Sequence, residues 1–212
     1  MHEQSMLPAR ESGGFVGLAL SGKRYTGKSF AAQFLASIFP HLMSFPSSIA
    51  DVAKMEYAKM SRIPSAYLYE KRTKEEHRPA LLQYVDFKRK AGANYFLDRY
   101  LAGPARQAML AGSIVLLDDP RLPEELDKLI EVGYYPLRVE SPVELRVKRG
   151  LVVSDVDTHE TETALDNLPL WSNHKHLVWN FYNPEYPDTG DLFKAALLSK
   201  VLSAFSLGGQ AA

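Results

Sequence analysis

The chain has 212 residues, 46% of them hydrophobic, and its 25 Lys and Arg side chains are balanced by 25 Asp and Glu side chains. This length fits one α/β domain and is short for two, while zero formal net charge excludes an overall field that attracts nucleic acid or anionic membranes. The absence of cysteine excludes disulfides and cysteine-based zinc sites. No apolar run is long enough to span a membrane, so a cytoplasmic protein is the expectation.

The secondary structure is predicted from hydrophobic periodicity and from turn residues. A short apolar strand at 15–20 leads through a glycine turn into a helix at 28–39. Two further apolar runs, at 114–117 and 135–140, predict buried strands, and 177–179 predicts a last edge of the sheet. The other predicted helices are 49–60, 74–87, 96–110, 123–131 and 191–205. Strands that alternate with helices predict a three-layer α/β/α domain with a parallel sheet.

The turn between the first strand and the first helix carries the strongest motif. Residues 22–29 match G-x-x-x-x-G-K-[ST] at every fixed position, in the strand-to-helix context that a phosphate-binding loop requires. Its glycines let backbone N–H groups face phosphate oxygens, and the helix N-terminus adds partial positive charge. Lys28 is expected to reach the β- and γ-phosphates of ATP, and Ser29 to bind Mg²⁺. The residues predicted to bind ATP are Gly22, Lys23, Arg24, Tyr25, Thr26, Gly27, Lys28 and Ser29.

The rest of the chain favours a small kinase among proteins with such a loop. No Asn-Lys-x-Asp guanine motif is present, and a large ATPase module needs a longer chain. A kinase needs cations outside the loop for its second phosphorylated substrate and for the transferring group. Arg78 and Arg89 are favoured because a guanidinium binds phosphate bidentately. Arg146 and Arg149 stand where a lid over the ATP phosphates is expected, with an ordinary surface position as the alternative.

Two carboxylates follow the predicted strand 114–117. Because that strand ends at a polar edge, Asp118 is predicted to hold Mg²⁺ together with Ser29. Asp119 either contacts the acceptor or caps a helix. Arg121 is the next candidate for contact with the acceptor or the phosphoryl group.

The single kinase domain is predicted to span 15–205, between flexible tails at 1–14 and 206–212. Its helical region at about 45–110 is expected to bind the acceptor, and the segment at about 141–165 to form the lid. The first tail is polar and lacks the apolar core of a secretory signal.

Four segments extend the motif evidence: LSGKRYTGKS at 20–29, KEEHRPALLQY at 74–84, LLDDPRLPEELDKLIEVGYYPLRV at 116–139 and DTHETETALDNLP at 157–169. In these segments the chain resembles the deoxynucleoside monophosphate kinases of phages and bacteria, and their structural relatives, the animal-type phosphomevalonate kinases. The resemblance runs from about residue 16 to 200. It implies a P-loop NTPase fold of the nucleoside monophosphate kinase type, with a lid and acceptor-binding helices.

The resemblance also implies a reaction and its residues. The γ-phosphate of ATP would pass, with Mg²⁺ as cofactor, to a (deoxy)nucleoside monophosphate. Arg78, Gln83 and Arg121 would lie at the acceptor site, Glu160 and Glu162 would line the same cleft, and Asn180 would lie near the ATP base. With the motif and the charged segments taken together, the predicted catalytic residues are Lys28, Arg121, Arg146 and Arg149. The predicted acceptor-binding residues are Lys54, Lys74, Arg78, Gln83, Asp119, Arg121, Glu160 and Glu162. No nucleic acid polymer or membrane is expected as a partner, and a homodimer is left open.

The class of acceptor is the main alternative. Lys54-x-Glu-Tyr-Ala and the Lys23-Arg24 pair are shared with the phosphomevalonate kinases, but those kinases usually carry two consecutive arginines where this chain has Arg121-Leu122. Asp86-Phe87 stands where the nucleotide kinases often have Gly-Thr. The sequence favours a nucleotide acceptor. The alternatives are phosphomevalonate kinase-type transfer to a non-nucleotide phosphate, or a catalytically silent nucleotide-binding module.

Overall fold

A computed structural model describes residues 16–152, 163–166, 179–182 and 191–208. It contains one sheet of five parallel strands in the order β2-β3-β1-β4-β5. The strands are β1 (Gly17–Ser21), β2 (Met43–Ser44), β3 (Ile114–Leu117), β4 (Tyr134–Glu140) and β5 (Trp179–Tyr182). Since parallel strands point their carboxyl ends to the same edge, the loops after β1, β3 and β4 meet there.

The helices alternate with the strands in sequence, and the last helix follows β5. They are α1 (Lys28–Ile38), α2 (Ile49–Ser61), α3 (Lys71–Ala91), α4 (Tyr95–Tyr100), α5 (Arg106–Leu110), α6 (Pro123–Glu131), α7 (Val143–Lys148) and α8 (Asp191–Gly208). A 3-10 turn at Ser65–Leu68 precedes α3, and a π turn at Leu101–Ala105 joins α4 to α5.

Both faces of the sheet are buried. On β1, Ala19 faces one hydrophobic core, whereas Leu18 and Leu20 face a second core on the opposite side. This alternation follows from the two-residue period of a strand. Helices α2, α3, α4 and α6 cover the first core, and α1 and α8 cover the second. The predicted three-layer α/β/α fold of the P-loop kinase type is confirmed.

Some elements differ from the prediction. The helix predicted over 96–110 is divided by the π turn that contains Pro104, because proline lacks the N–H that a continuous helix would use there. By contrast, α3 is longer than predicted and continues through Pro79. Strand β2 has only two residues, too few to produce a periodic pattern, and β5 begins at Trp179, where the predicted sheet edge ends.

Among the helices within the described ranges, none combines the length and the apolar character needed to cross a bilayer.

The α2 helix begins with a polar cap, in which the Ser48 side chain accepts from the Asp51 N–H and the Asp51 side chain accepts from the Ser48 N–H. This capping box fixes the start of α2 at the edge of the sheet where β3 ends.

Candidate active site

The phosphate-binding loop joins β1 to α1 and depends on two glycines. Gly22 has φ 132° and Gly27 has φ 103°, a region that side-chain-bearing residues rarely adopt. A Cβ on Gly22 would lie 2.2 Å from the Val139 carbonyl oxygen, closer than any real contact. The packing of the loop against β4 therefore requires glycine at position 22.

Two side chains of the loop donate hydrogen bonds to the same carbonyl group within it. The Lys28 Nζ donates to the Lys23 carbonyl oxygen at 2.7 Å, and the Thr26 hydroxyl donates to the same oxygen at 3.0 Å. Lys28 is buried, so its ammonium group is held inside the loop at the N-terminus of α1. A cation and the first N–H groups of a helix are thus brought to one point, which is the arrangement that binds a phosphate anion.

Ser29 and Asp118 meet beside the loop, as the sequence predicts for a magnesium site. The Ser29 hydroxyl donates to Asp118 Oδ2 at 2.5 Å, and Asp118 is buried at the end of β3. One hydroxyl and one carboxylate suit Mg²⁺, which takes oxygen ligands and draws its others from water and phosphate. No group of three or more His, Cys, Asp or Glu side chains that could hold a metal occurs in the part of the chain described. These two residues therefore fit a Mg²⁺ carried in with a nucleotide.

Asp119 caps helix α2. Its carboxylate accepts from the N–H groups of Ile49 at 3.0 Å and Ala50 at 2.7 Å. The pKa of Asp119 is raised to about 6, chiefly by burial and also by the nearby charge of Asp118, against the lowering effect of the two N–H groups. The capping alternative from the sequence is the observed arrangement, and the same side chain also lines the cavity described next.

A cavity of about 310 Å³ opens beside the loop, between α2 and α3. One stripe of α3 forms its wall, because positions three or four apart share a helix face. Ile49, Ala53 and Phe96 add apolar surface from the neighbouring helices. The α3 stripe consists of Arg78, Leu81, Leu82, Val85, Asp86 and Arg89. The cavity therefore joins an apolar interior to a charged rim.

Four cations are shared between this cavity and the cleft at the loop. Arg24, Lys54, Lys74 and Arg121, named here the cationic wall, line both spaces. Burial lowers the pKa of Lys74, and the charges of Lys54 and Arg78 lower it further. The positive charges of these cations repel one another, and an anion that binds between them offsets this repulsion.

Lys54 is held in place by two neighbours. Its Nζ lies 3.0 Å from Asp51 Oδ1 and 4.3 Å from the centre of the Tyr69 ring. The pKa of Tyr69 is raised to about 12 by burial and by the charge of Asp51, so this phenol stays neutral at physiological pH. Lys54 is thereby positioned at the junction of the cavity and the loop.

The other acceptor residues predicted from the sequence are placed differently. Arg78 lies on the cavity stripe and pairs with Glu75 at 2.9 Å. Gln83 is exposed and lies off the stripe, since five residues of helix turn it well away from Arg78, so the structure does not bring it into the cavity. Glu160 and Glu162 lie outside the described residues.

The two arginines of the predicted lid lie in α7 and directly after it. Arg149 Nη1 donates to the carbonyl oxygens of Tyr25 at 3.2 Å and Thr26 at 3.4 Å. Arg146 lines a second cavity of about 370 Å³ that Lys23 also lines. Arg149 therefore contacts the phosphate-binding loop directly, whereas Arg146 shares a cavity with it.

The last described part of the predicted lid is anchored to the loop. Asp166 Oδ2 lies 2.6 Å from Lys23 Nζ, and Asp166 Oδ1 lies 3.3 Å from Arg138 on β4. The Arg138 guanidinium also donates to the Leu165 carbonyl oxygen. Asn180 on β5 is paired in register with Arg138 on β4, so the backbones of these two residues are neighbours in the sheet.

Phe96 and Glu125 are among the residues of the site that were not predicted. Phe96 lines the cavity, and Glu125 lies buried behind Arg121. A signal for Glu125 exists in the sequence, since an acidic residue at the third position of a helix that begins Pro-Glu-Glu often accepts from the N–H before the helix. Phe96 gives no such signal, because an aromatic residue in a helix is most often core.

A comparison with protein-family models adds to this geometry. Residues 20–134 match the model described as phosphomevalonate kinase. The match covers more than half of the 212 residues. The chain belongs to the phosphomevalonate kinase family. No curated protein is similar enough to the chain to count as a match.

Membership in the phosphomevalonate kinase family identifies the chain as an ATP-dependent kinase. The matched span contains the phosphate-binding loop, α2, α3 and the residues that follow β3. The comparison does not support membership in the deoxynucleoside monophosphate kinases or the nucleotide acceptor that the sequence favours. It favours the alternative, a phosphate acceptor that is not a nucleotide.

Proposed function

We propose that this kinase transfers the γ-phosphate of ATP to the phosphate group of a small, non-nucleotide monophosphate ester of the phosphomevalonate class, giving a diphosphate ester. The observation that carries the proposal is the cationic wall, which lines both the acceptor cavity and the cleft at the phosphate-binding loop. An acceptor phosphate held there lies next to the ATP phosphates. Family membership supports the non-nucleotide acceptor.

The shape and lining of the cavity also favour a short acceptor. Its interior is apolar, with Ala53, Leu82 and Phe96 among its lining residues. Arg78 and Arg89 line the same cavity from α3 but not the cleft at the loop, and they can meet a second anionic group. A molecule with a phosphate at one end, a short carbon chain and a carboxylate at the other end, such as phosphomevalonate, matches this order of charge, apolar surface and charge.

The proposed transfer needs alignment and charge neutralisation but no covalent enzyme intermediate. An oxygen of the acceptor phosphate attacks the γ-phosphorus, and the bond from that phosphorus to the β,γ-bridging oxygen breaks as ADP leaves. Lys28 neutralises charge on the ATP phosphates, while the cationic wall holds the attacking phosphate. Ser29 and Asp118 would hold Mg²⁺, which supplies further positive charge at the phosphates.

The arginines after β4 complete the proposed ATP site. Arg149 contacts the loop through two carbonyl groups, and its guanidinium is proposed to stabilise the transferring phosphoryl group. Arg146 is proposed to contact the nucleotide from the second cavity, where its buried Nε has no hydrogen-bond partner. Arg121 reaches the acceptor from the loop after β3.

The test is an ADP-release assay with ATP and Mg²⁺ and a panel of acceptors. The panel contains phosphomevalonate, unphosphorylated mevalonate, inorganic phosphate, and the ribo- and deoxyribonucleoside monophosphates. Lys28→Ala serves as the background control. Turnover on phosphomevalonate alone, lost in the variant, is the expected result.

Two other results would change the proposal. Faster turnover on one or more nucleoside monophosphates would replace the acceptor while leaving the ATP chemistry in place. ATP binding without ADP release on any acceptor would identify a silent nucleotide-binding module and overturn the proposed reaction.

A further inference from the structure

Glu125 is a buried carboxylate behind the acceptor cavity. Its side chain is only 2% exposed, and it lies in the first turn of α6, on the side away from solvent. Its oxygens accept from three groups: the Arg121 N–H at 2.7 Å, the Leu122 N–H at 3.2 Å and Arg89 Nη2 at 2.9 Å. Glu125 itself does not line the cavity.

These three hydrogen bonds connect two walls of the acceptor site. Arg89 belongs to the cavity stripe of α3, whereas Arg121 lies in the loop after β3 and belongs to the cationic wall. The two residues are separated by 32 positions in sequence. Glu125 is the group through which the position of one depends on the position of the other.

The chemistry of the contact makes this coupling strong. A buried carboxylate is costly unless it is paired and hydrogen-bonded, and here one oxygen faces a guanidinium and the other faces two backbone N–H groups. Charge-assisted hydrogen bonds of this kind are short and directional. They restrict the Arg89 side chain and the backbone at Arg121 to one arrangement.

We propose that Glu125 is a positioning residue for acceptor binding, which sets Arg89 and Arg121 at the distance that one acceptor molecule spans. The inference rests on the proposed function for the identity of the acceptor. It predicts that loss of the carboxylate weakens the binding of the acceptor and leaves the binding of ATP unchanged, because the three hydrogen bonds of Glu125 go to Arg89, Arg121 and Leu122 and none of them goes to the phosphate-binding loop.

The test variant is Glu125→Gln, which keeps the shape but removes the charge. Glu124→Gln is the matched control, since Glu124 is the preceding residue and is exposed. Steady-state kinetics with phosphomevalonate should show at least a tenfold rise in its KM in Glu125→Gln. The KM for ATP should stay within twofold, and Glu124→Gln should match the wild type in both constants.

A purely structural role would give a different pattern. If Glu125→Gln raised the KM values of ATP and phosphomevalonate by the same factor, or left both unchanged in a folded protein, the inference would be overturned. Should Glu125→Gln fail to fold, Glu125→Asp is the second variant. It keeps the charge but shortens the side chain by one methylene, and a KM rise confined to phosphomevalonate is again expected.

Hydrogen exchange separates this inference from the proposed function. In Glu125→Gln, the Arg121 and Leu122 amides should exchange at least tenfold faster than in the wild type, with no change at the Lys28 amide. If wild-type protein does not phosphorylate phosphomevalonate, the proposed acceptor is wrong, and the exchange rates still decide whether Glu125 positions this loop. Equal exchange rates in both proteins would overturn the positioning role.

Discussion

The phosphate-binding loop and the acceptor cavity are built in opposite ways. The loop closes on itself, because Thr26 and Lys28 both donate to the carbonyl oxygen of Lys23, at most five residues away. The cavity brings together Arg24, Lys54 and Arg121, which nearly one hundred residues separate in sequence. The ATP side is therefore specified locally, whereas the acceptor side exists only in the folded domain.

This difference separates the binding of ATP from the selectivity for the acceptor. The loop offers backbone N–H groups and the ammonium group of Lys28, a combination that recognises phosphate in any nucleotide. The cavity offers side chains, so its selectivity changes when a few residues change. Substitutions in the loop should weaken the reaction with every acceptor, and substitutions in the cavity should alter the preference among acceptors.

The largest expected effect is loss of the loop cation. Lys28→Ala should reduce kcat by about 10²–10³-fold or more, since it removes charge stabilisation of the transferring group. The fold should persist, because the Lys23 carbonyl oxygen still accepts from Thr26. ADP release and thermal unfolding measure the two effects. Lys90→Ala, at the exposed end of α3, is the control, and a wild-type rate in Lys28→Ala would contradict the role of the loop.

A glycine pair tests whether the loop requires its backbone geometry. Gly22→Ala places a Cβ against the Val139 carbonyl oxygen at a φ of 132°, and should lower the free energy of unfolding by at least about 1–3 kcal/mol. It should also weaken ATP binding. Gly92→Ala is the matched control, because its φ is 177° and no atom lies within 4 Å of the added Cβ. Denaturant unfolding and nucleotide titration compare the two variants.

An arginine pair on one helix tests the acceptor side. Arg78→Ala should raise the KM of the acceptor about tenfold, equivalent to about 1.4 kcal/mol, and leave the KM of ATP near its wild-type value. The reason is that Arg78 lines the cavity but not the cleft at the loop. Arg72→Ala is the control, since Arg72 lies on the same helix and its side chain is 93% exposed. Equal effects of the two substitutions would remove Arg78 from the site.

The raised pKa of Asp119 predicts a pH dependence of stability. Because the pKa in the folded protein, about 6, exceeds the ordinary value of 3.8, the folded state holds the proton more tightly than the unfolded state. The resulting stabilisation is complete below 3.8 and is lost as pH rises through about 6. As the pH falls from 7.5 to 5, the Tm of the wild type should rise relative to the Tm of Asp119→Asn. A Tm difference that does not change with pH would show that burial does not raise the pKa of this carboxylate.

The smallest expected effect concerns a residue that the resemblance places at the acceptor. Gln83→Ala should leave both KM values within twofold of the wild type, since Gln83 is exposed and lies off the cavity stripe. The measurement is the same steady-state assay used for Arg78. A large rise in the KM of the acceptor would mean that α3 turns, or the cavity extends, when the acceptor binds.

The sequence predicts most of the fold because its signals are local. The strands at β1, β3 and β4 are apolar runs, and α6 has Pro123 followed by acidic residues in its first turn. The motif of the loop, in its strand-to-helix context, predicts a phosphate-binding site. By contrast, the division between α4 and α5 depends on how Pro104 is accommodated, and β2 exists only through its pairing with β3.

The sequence predicts the proposed acceptor site less completely, because its residues are far apart in the chain and only packing brings them together. The sequence indicates Lys54, Lys74 and Arg78, and the structure brings these cations to one cavity. Gln83 is implied only by the resemblance, and the structure places it off the stripe that Leu81, Leu82 and Val85 mark on α3. The role of Glu125 also depends on a contact with Arg89 across 36 positions.

The most direct test of the account is a phosphorus NMR spectrum of the reaction mixture. Enzyme, ATP, Mg²⁺ and phosphomevalonate are incubated together, and the signals of the two substrates and their products are followed with time. The account predicts that the monoester signal is replaced by two coupled diphosphate signals as ADP appears in equal amount. Inorganic phosphate in place of the diphosphate ester, or a monoester signal that stays unchanged throughout the incubation, would contradict it.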